Sequence, residues 1–257
     1  MIGVGAGDPD YVTAQAARAM AAVDAFFVVE KGGDAGELAA LRHALLERFV
    51  PDGRHRVVPV PDPPRDRAAV AYGAAVEDWR ERRATAWEAA LRDGLAEGEV
   101  GAFLVWGDPS LYDSTIDVLE RIRAAGRVAL DCEAIPGVSA IHALTARHRI
   151  PLNRVGGAVQ ITTGRRLAAD GWPGGVDDVV VMLDADCAFR HLDPAGVEIF
   201  WGAYLGTPDE LLLAGPLAQA GPEIERVRAA ARARKGWIMD TYLLRRAPAG
   251  DRSRAAE

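Results

Sequence analysis

The sequence predicts an α/β protein of two domains, the N-terminal one with a mainly parallel sheet and the C-terminal one with a mixed sheet. Strand-like and helical patterns alternate from Met1 to about His148, which is typical of a parallel sheet. From Ala158 onward, strand patterns dominate. The chain has 257 residues and is 49% hydrophobic, which is sufficient for two compact cores.

The composition argues against several classes of protein. There are 37 acidic and 30 basic side chains, a net charge of -7, which disfavours a general nucleic-acid or anionic-membrane surface. Two cysteines, Cys132 and Cys187, are too few for a disulfide scaffold. No apolar run reaches the roughly 20 residues that span a bilayer, and no signal-peptide pattern is present. We expect a cytoplasmic protein that binds neither nucleic acid nor membranes.

The first elements form the order strand, helix, strand, helix. Residues 1–4 are a strand shorter than the usual length of about 5 to 6 residues, so we expect the natural first strand to begin upstream of Met1. Thr13 is predicted to cap a helix over residues 14–22. Ala25–Glu30 is a second strand, and residues 38–49 have helical periodicity.

The next elements lead to the stretch that we expect to bind a ligand. Residues 57–60 predict a strand and residues 70–95 a long helix, in which Trp79 and Trp87 are interpreted as packing residues. Residues 100–106 predict a buried strand that stops at Gly107-Asp108-Pro109. Loops at the carboxyl ends of parallel strands are common ligand sites.

Three further elements follow this loop. A helix is predicted over residues 114–124, with Ser114 and Asp117 as a capping box and Gly126 as its end. Residues 128–132 predict another strand. Ser139 is expected to cap a helix from Ala140 to about His148.

The second half predicts a separate domain. Strands are expected at residues 158–163, 179–183, 197–205 and 237–244, and helices at residues 208–220 and 222–234. We place the N-terminal domain at residues 1–113 and the C-terminal domain at residues 114–246. Residues 247–257 are polar and are expected to be disordered.

The glycines at the N-terminus suggest a dinucleotide-binding turn as an alternative. Gly3, Gly5 and Gly7 follow the first strand, and Glu30 ends the second strand, where it would bind a ribose. However, Asp8 stands where the fingerprint requires glycine, and its carboxylate would repel a pyrophosphate. A tight turn from strand to helix explains the glycines, but not why Asp8-Pro9 is repeated as Asp108-Pro109.

Two other motifs favour structural interpretations. Gly137 to Ile141 resembles a serine-hydrolase elbow, but Ile141 replaces the second glycine, so Ser139 is better explained as a helix cap. The five histidines lack the spacing of metal ligands, and we expect no metal.

Asp184 and Asp186 follow a strand, where carboxylates serve either in acid/base chemistry or as turn caps.

Three separated motifs, taken together, resemble the tetrapyrrole (corrin and precorrin) methylase family. They are Gly3-Val-Gly-Ala-Gly-Asp-Pro9, Gly107-Asp-Pro-Ser-Leu-Tyr112 and Pro136-Gly-Val-Ser-Ala140, in this order and spacing. The resemblance spans nearly the whole chain. It implies a homodimer of two-domain α/β subunits, with S-adenosylmethionine bound in the cleft between the domains.

The resemblance also implies which residues contact the cofactor. They are Ala6, Gly107, Asp108, Leu111, Ser139, Ala140, Met182 and, where the match is loosest, Tyr204 or Leu205. A sulfonium methyl group is already activated, so the protein has to hold it in line with a nucleophilic carbon and exclude water. Asp108 is expected to accept hydrogen bonds from the ligand, and Gly107 to allow close backbone approach.

Within the family, three segments are most similar to members that methylate precorrin-5 at ring carbon C1 and release acetate. They are the segments from Phe26 to Gly32, from Asp113 to Asp117 and from Trp237 to Tyr242. Acetate release requires a general base, for which Asp8, Tyr112, Asp184 and Asp186 are the candidates. Because arginine binds carboxylates, we expect the acidic tetrapyrrole to meet some of Arg147, Arg149, Arg165 and Arg166.

Several alternatives stay open at this point. Within the family, the chain is a methylase that acts at another precorrin position, or one of the diphthamide type. From other classes, an NAD-binding oxidoreductase and a non-catalytic dimeric binding module are considered.

Overall fold

The computed structural model describes residues 1–30, 35–50, 53–64 and 72–246, and these divide into two compact units. The first unit is Met1–Ser139 and the second begins at Ala140, whereas the sequence placed the division after residue 113. The difference arises from a helix, Thr115–Ala125, that buries Val118 and Ile122 in a cluster with Trp87 of the first unit. The predicted tail, residues 247–257, lies outside the described residues.

The first unit alternates strands and helices as expected. Its strands are β1 (Ile2–Gly3), β2 (Ala25–Glu30), β3 (Arg56–Pro61), β4 (Gly101–Ala102) and β5 (Leu104–Val105). Its helices are α1 (Ala14–Ala21), α2 (Ala35–Phe49), α3 (Tyr72–Gly94) and α4 (Thr115–Ala125). A 3-10 turn, Pro9–Tyr11, precedes α1.

All strand pairs of this unit are parallel, in the orders β3-β2-β4 and β1-β5. The predicted buried strand over residues 100–106 is divided, because Gly101 and Ala102 pair with β2 whereas Leu104 and Val105 pair with β1. Phe26 and Phe27, successive residues of β2, lie in two different hydrophobic clusters. The sheet is therefore covered by apolar side chains on both faces, as parallel sheets usually are.

The strand predicted at residues 128–132 is not formed. This segment has no ladder partner, and β1 instead makes a single parallel bridge between Ile2 and Ile135. Backbone hydrogen bonds from Ile135 N to Met1 O and from Gly3 N to Ile135 O, both 2.9 Å, hold this bridge. The apolar pattern alone did not show where the pairing begins.

β3 is an edge strand of the sheet β3-β2-β4 and contains prolines. Pro59 lies within the strand and Pro61 ends it, and neither has a backbone N–H to donate. Its pairing with β2 nevertheless runs from Arg56 to Pro61.

Of the four predicted helix caps, Thr13 and Gly126 are confirmed, the capping box at Ser114 is wrong, and the cap at Ser139 stays a prediction. Thr13 caps α1 by accepting a hydrogen bond from Ala16 N at 3.0 Å, and Gly126 ends α4 in the left-handed conformation at φ 68°. Ser114 does not form the predicted capping box, since its side chain accepts no hydrogen bond from α4. It accepts one from Arg83 instead.

The described part of the second unit, residues 140–246, forms a five-stranded mixed sheet with three α-helices and a 3-10 turn, Ala188–His191. Its strands are β6 (Val159–Thr163), β7 (Asp178–Met182), β8 (Val197–Ala203), β9 (Leu211–Pro216) and β10 (Asp240–Arg246). Its helices are α5 (Ala140–His148), α6 (Gly164–Asp170) and α7 (Leu217–Lys235). The strand order is β6-β7-β10-β8-β9, in which only β6 and β7 are parallel.

The helix predicted at residues 208–220 is wrong. Leu211–Pro216 is instead an edge strand, paired along its whole length with Glu198 to Ala203 of β8. The run of three leucines fits either a helix or a strand, and the available ladder decides between them. The predicted helix at residues 222–234 is part of α7, which passes through Pro222 near its start.

A buried polar network links α7 to the sheet of the second unit. Arg228 Nε donates to Asp240 Oδ2 at 2.8 Å, and Arg228 Nη2 donates to the carbonyl of Asp184 at 2.6 Å. Trp201 Nε1 donates to the same Asp240 oxygen at 2.9 Å. The side chains of Arg228 and Asp240 are only 9% and 5% exposed, so the ion pair is shielded from water.

Arg228→Met should lower the free energy of unfolding by about 3–5 kcal/mol, because it leaves the buried Asp240 carboxylate without its cation. The matched control on the same helix is Arg226→Met, which removes an exposed pair with Glu223 and should change stability by less than about 1 kcal/mol. Urea unfolding measures both. A similar small loss for the two variants would contradict the assigned role of Arg228.

Candidate functional site

Three loops meet beyond the carboxyl ends of β1 and β5. Gly5 N donates to Gly107 O at 3.3 Å and Gly107 N donates to Gly5 O at 2.8 Å, so the two Asp-Pro loops begin side by side. The third loop is joined through Gly137, which lies against Gly3 and Gly107. The first unit thus brings together the three motifs that carried the resemblance.

Glycine is required where these backbones cross. A Cβ atom on Gly137 would lie 2.1 Å from the carbonyl oxygen of Gly107, and one on Gly3 would lie 2.6 Å from Gly137 N. Both separations are far below van der Waals contact. The loops are therefore in direct backbone contact, and any larger residue would separate them.

The carboxylate of Asp108 ties two of the loops together. Its Oδ2 accepts from Gly137 N at 3.0 Å, and its Oδ1 accepts from Ser110 N at 2.8 Å and from Ser110 Oγ at 2.5 Å. We expected this side chain to accept hydrogen bonds from a ligand. The structure gives it a positioning role, which the sequence did not show because Gly137 is distant in the chain.

None of the three loops contains a lysine or arginine, and two of them contain aspartates. Residues 5–12 contain Asp8 and Asp10, residues 107–114 contain Asp108 and Asp113, and residues 136–139 contain no charged side chain. Asp10 forms an ion pair with Arg48 of α2. Asp8 Oδ1 accepts from Asp10 N at 2.8 Å, and Thr13 caps α1. Since the protein itself satisfies these helix-start donors, the loops do not offer the pyrophosphate site of a dinucleotide-binding turn. The Glu30 side chain lies outside the described residues.

The loops of the first unit contain three other predicted cofactor residues. Ala6 and Ser139 are buried and Leu111 is half-buried. The second loop also contains the candidate base Tyr112, which is 46% exposed and has a left-handed backbone at φ 53°. Ala140, a half-buried predicted cofactor residue, is the first residue of α5 and of the second unit.

Three predicted cofactor residues of the second unit lie at the ends of β7 and β8, which β10 separates in the sheet. Met182 is the half-buried last residue of β7, and Tyr204 and Leu205 follow β8 and are buried. The Tyr204 ring packs edge-on against Trp237, and its hydroxyl donates to Trp237 O at 2.6 Å. The side chain of Tyr204 is therefore a core group, and we expect only its backbone to meet a ligand.

Backbone strain occurs beside the predicted cofactor residues in both units. Tyr112 follows Leu111, Leu183 follows Met182 at φ 52°, and Tyr204 itself has φ 50°. Left-handed conformations are costly for bulky residues and often mark functional positions. Leu183 is also 65% exposed, which is unusual for a large apolar side chain directly after a buried strand.

The candidate bases differ in how their side chains are engaged. Asp184 is buried and accepts hydrogen bonds from Ala188 N at 2.7 Å, Asp186 N at 3.0 Å and Tyr242 Oη at 2.6 Å. Burial, reinforced by Asp184, raises the pKa of Tyr242, so its hydroxyl stays a donor. Asp184 is thus a structural acceptor, whereas Asp186 is exposed.

Among the four predicted substrate arginines, Arg147 and Arg166 form ion pairs whose geometry is clear. Arg147 pairs with Glu210 at 2.5 Å, and Glu210 also accepts from Gly206 N at 2.9 Å. Arg166 pairs with Asp170 one turn along α6 at 3.1 Å. Arg149 and Arg165 are exposed. Arg147 is accordingly connected to the loop after Tyr204.

Arg83 is a residue near the loops that the sequence reasoning missed. It lies between Trp79 and Trp87 at a spacing of four residues, so the three share one face of α3. The spacing was visible in the sequence, but only the tryptophans were interpreted.

The described part of the chain shows no group of three His, Cys, Asp or Glu side chains arranged to hold a metal ion. None of the helices in that part is long and apolar enough to cross a membrane.

Two known proteins are similar to this chain over nearly its whole length. Precorrin-6A synthase (deacetylating) of Sinorhizobium sp is 46% identical over 246 residues, which cover 96% of this chain and 94% of that protein. The crystal structure of the cobalamin synthesis related protein (CobF) from Corynebacterium diphtheriae is 34% identical, with a TM-score of 0.82 over 95% of this chain and 96% of that one.

A more distant structure shares the fold. Uroporphyrin-III C-methyl transferase from Thermus thermophilus, complexed with S-adenyl homocysteine, is 18% identical, with a TM-score of 0.56 over 95% of this chain and 94% of that one. The family model described as tetrapyrrole (corrin/porphyrin) methylases matches residues 1–221. Because that match covers most of the chain and the relatives align over nearly their full lengths, the chain belongs to the tetrapyrrole methylase family.

Proposed function

We propose that the protein transfers a methyl group from S-adenosylmethionine to ring carbon C1 of precorrin-5 and releases acetate, giving precorrin-6A in cobalamin biosynthesis. The observation that carries this proposal is the 46% identity to precorrin-6A synthase (deacetylating) over nearly the full length of both chains. Another precorrin methylase is the alternative within the family.

The residues of the candidate site fit the proposed cofactor. When bound, S-adenosylmethionine supplies a methyl group on a positively charged sulfur. Two of the three loops contain aspartates and none contains a lysine or arginine, although Arg48 of α2 pairs with Asp10. The remaining carboxylates suit a cation and disfavour a phosphate. The backbone crossing of Gly3, Gly107 and Gly137 presents main-chain groups without intervening side chains.

The side chains of the site have separate proposed tasks. Asp108 holds the second and third loops in register, so that the donor and the acceptor carbon are oriented. Asp8, Tyr112 and the exposed Asp186 remain the proposed bases for acetate release, since the hydrogen bonds of Asp184 are committed. The proposed contacts for substrate carboxylates are Arg147, Arg149, Arg165 and Arg166, because guanidinium groups bind carboxylates bidentately. We further infer a cytoplasmic homodimer from the family resemblance.

S-adenosylhomocysteine should raise the melting temperature of the protein, and NAD should not. A ligand that binds only the folded state stabilises it by about 2.7 kcal/mol at 100 times its dissociation constant. A thermal-shift series with both ligands measures this. Stabilisation by NAD alone would favour the oxidoreductase and reject the proposal.

Asp108→Ala should weaken S-adenosylhomocysteine binding on the order of tenfold, because Gly137 N and Ser110 N lose their acceptor and the loops move apart. The matched control is Asp193→Ala, which removes a similar turn contact, to Ala195 N at 3.0 Å, outside the site. Calorimetric titration compares the two. If the Asp108 variant binds S-adenosylhomocysteine normally, Asp108 has only a structural role in its turn.

Incubation with S-adenosylmethionine and precorrin-5 should release one acetate for each methyl group transferred. In the same assay, Arg165→Glu should raise the KM for precorrin-5, because it places a negative charge near the substrate carboxylates. The control is Arg226→Glu, at the exposed arginine of α7 that pairs with Glu223. Methyl transfer without acetate would reject the deacetylating function and leave the family membership intact.

A further inference from the structure

Arg83 lies buried between two indole rings of α3. Its guanidinium carbon is 5.0 Å from the centroid of the Trp79 ring and 4.6 Å from that of Trp87. Trp87 in turn stacks on Phe103, with ring centroids 4.4 Å apart. The residue is only 6% exposed, so this cation is enclosed by aromatic faces, where cation–π attraction is strongest.

The polar contacts of Arg83 connect two segments that are far apart in the sequence. Its Nη1 donates to Ser114 Oγ at 2.5 Å, and its Nε lies 3.0 Å from Asp62 Oδ1. Asp62 directly follows β3, and Ser114 directly precedes α4. Trp79 Nε1 adds a hydrogen bond to Pro63 O at 2.8 Å. One side chain thus fixes the end of β3 to the start of α4.

This cluster is a poor means of stabilising the fold. Three buried polar atoms have no hydrogen-bond partner among the described residues, namely Arg83 Nε, Asp62 Oδ1 and Trp87 Nε1. Arg83 and Asp62 therefore form an ion pair whose angle does not allow a hydrogen bond. Burial holds the pKa of Arg83 below its ordinary value. Apolar residues of similar size often stabilise a core as well as a buried ion pair does. The cluster supplies a fixed geometry instead.

The geometry that it fixes is that of the second loop of the site. The loop begins at Gly107, where Asp108 binds Gly137, and it ends at Ser114, where Arg83 binds. Leu111 and the left-handed Tyr112 lie between these two ties. With the second tie broken, the loop would still be joined to α4, where Thr115 N donates to Asp113 Oδ1 at 2.7 Å, but it would lose its side-chain contact with α3.

We propose that Arg83 is a positioning residue for cofactor binding, which acts by holding the Ser114 end of the loop and thereby Leu111 and Tyr112. The guanidinium does not contact the cofactor in this proposal, since its polar edge is turned to Asp62 and Ser114. The inference rests on the proposed function, because it takes the loop to bind S-adenosylmethionine.

Arg83→Met should raise the dissociation constant of S-adenosylhomocysteine on the order of tenfold. The matched control is Arg127→Met. Arg127, just beyond α4, donates two hydrogen bonds of 2.7 Å to the buried Glu88 of α3. It therefore links the same two helices away from the loop, and its loss should leave binding unchanged. Calorimetric titration of the intact protein measures both.

Two further variants separate positioning from misfolding. The double variant Asp62→Asn with Arg83→Met removes the unpaired carboxylate, so it should fold and still bind weakly. Arg83→Lys keeps a cation between the indoles but lacks the planar fork, and should recover part of the affinity. In kinetics, Arg83→Met should raise the KM for S-adenosylmethionine and leave that for precorrin-5 unchanged.

Each outcome decides the inference. Provided that the wild-type protein binds S-adenosylhomocysteine, two results would overturn the inference. One is wild-type affinity in Arg83→Met or in the double variant, and the other is an equal loss of affinity in Arg127→Met. A wild-type protein that does not bind S-adenosylhomocysteine refutes the proposed function, and the inference with it.

Discussion

The contact among the backbones of Gly3, Gly107 and Gly137 is the constraint on which the candidate site depends. Because Gly3 and Gly137 have no Cβ atom, the ends of two strands and a distant turn can approach within backbone contact. That approach brings Gly137 N within reach of the Asp108 carboxylate. The loops are thereby positioned by rigid parallel strands, so their geometry is set before any ligand binds.

Two cations contact the loops of the first unit from outside them. Two of the three loops carry carboxylates and none carries a basic residue. Arg48 pairs with Asp10 of the first loop, whereas Arg83, at the end of the second loop, is enclosed by tryptophans and paired with Asp62. Asp184 in the second unit is likewise engaged within the protein, because its carboxylate is used entirely for folding.

Local patterns predicted much of the fold, and non-local contacts explain the rest. β2 and the Thr13 cap follow from short stretches of sequence, and the structure has them where they were expected. Leu211–Pro216 and residues 128–132 were assigned wrongly because the partner strand, and not the apolar pattern, decides whether a strand forms. The motifs of the site were visible in the sequence, but the partner of Asp108 and the contacts of Arg83 depend on residues about thirty positions away.

The prolines of β3 have a consequence for how the protein behaves at high concentration. An exposed edge strand with free N–H groups is a template on which another chain can add a strand. Pro59 and Pro61 remove donors from this edge of the first unit, and β9 of the second unit likewise ends in Pro216. These two edge strands therefore offer fewer backbone donors to a second copy of the chain, whereas β6, the other edge strand of the second sheet, contains no proline.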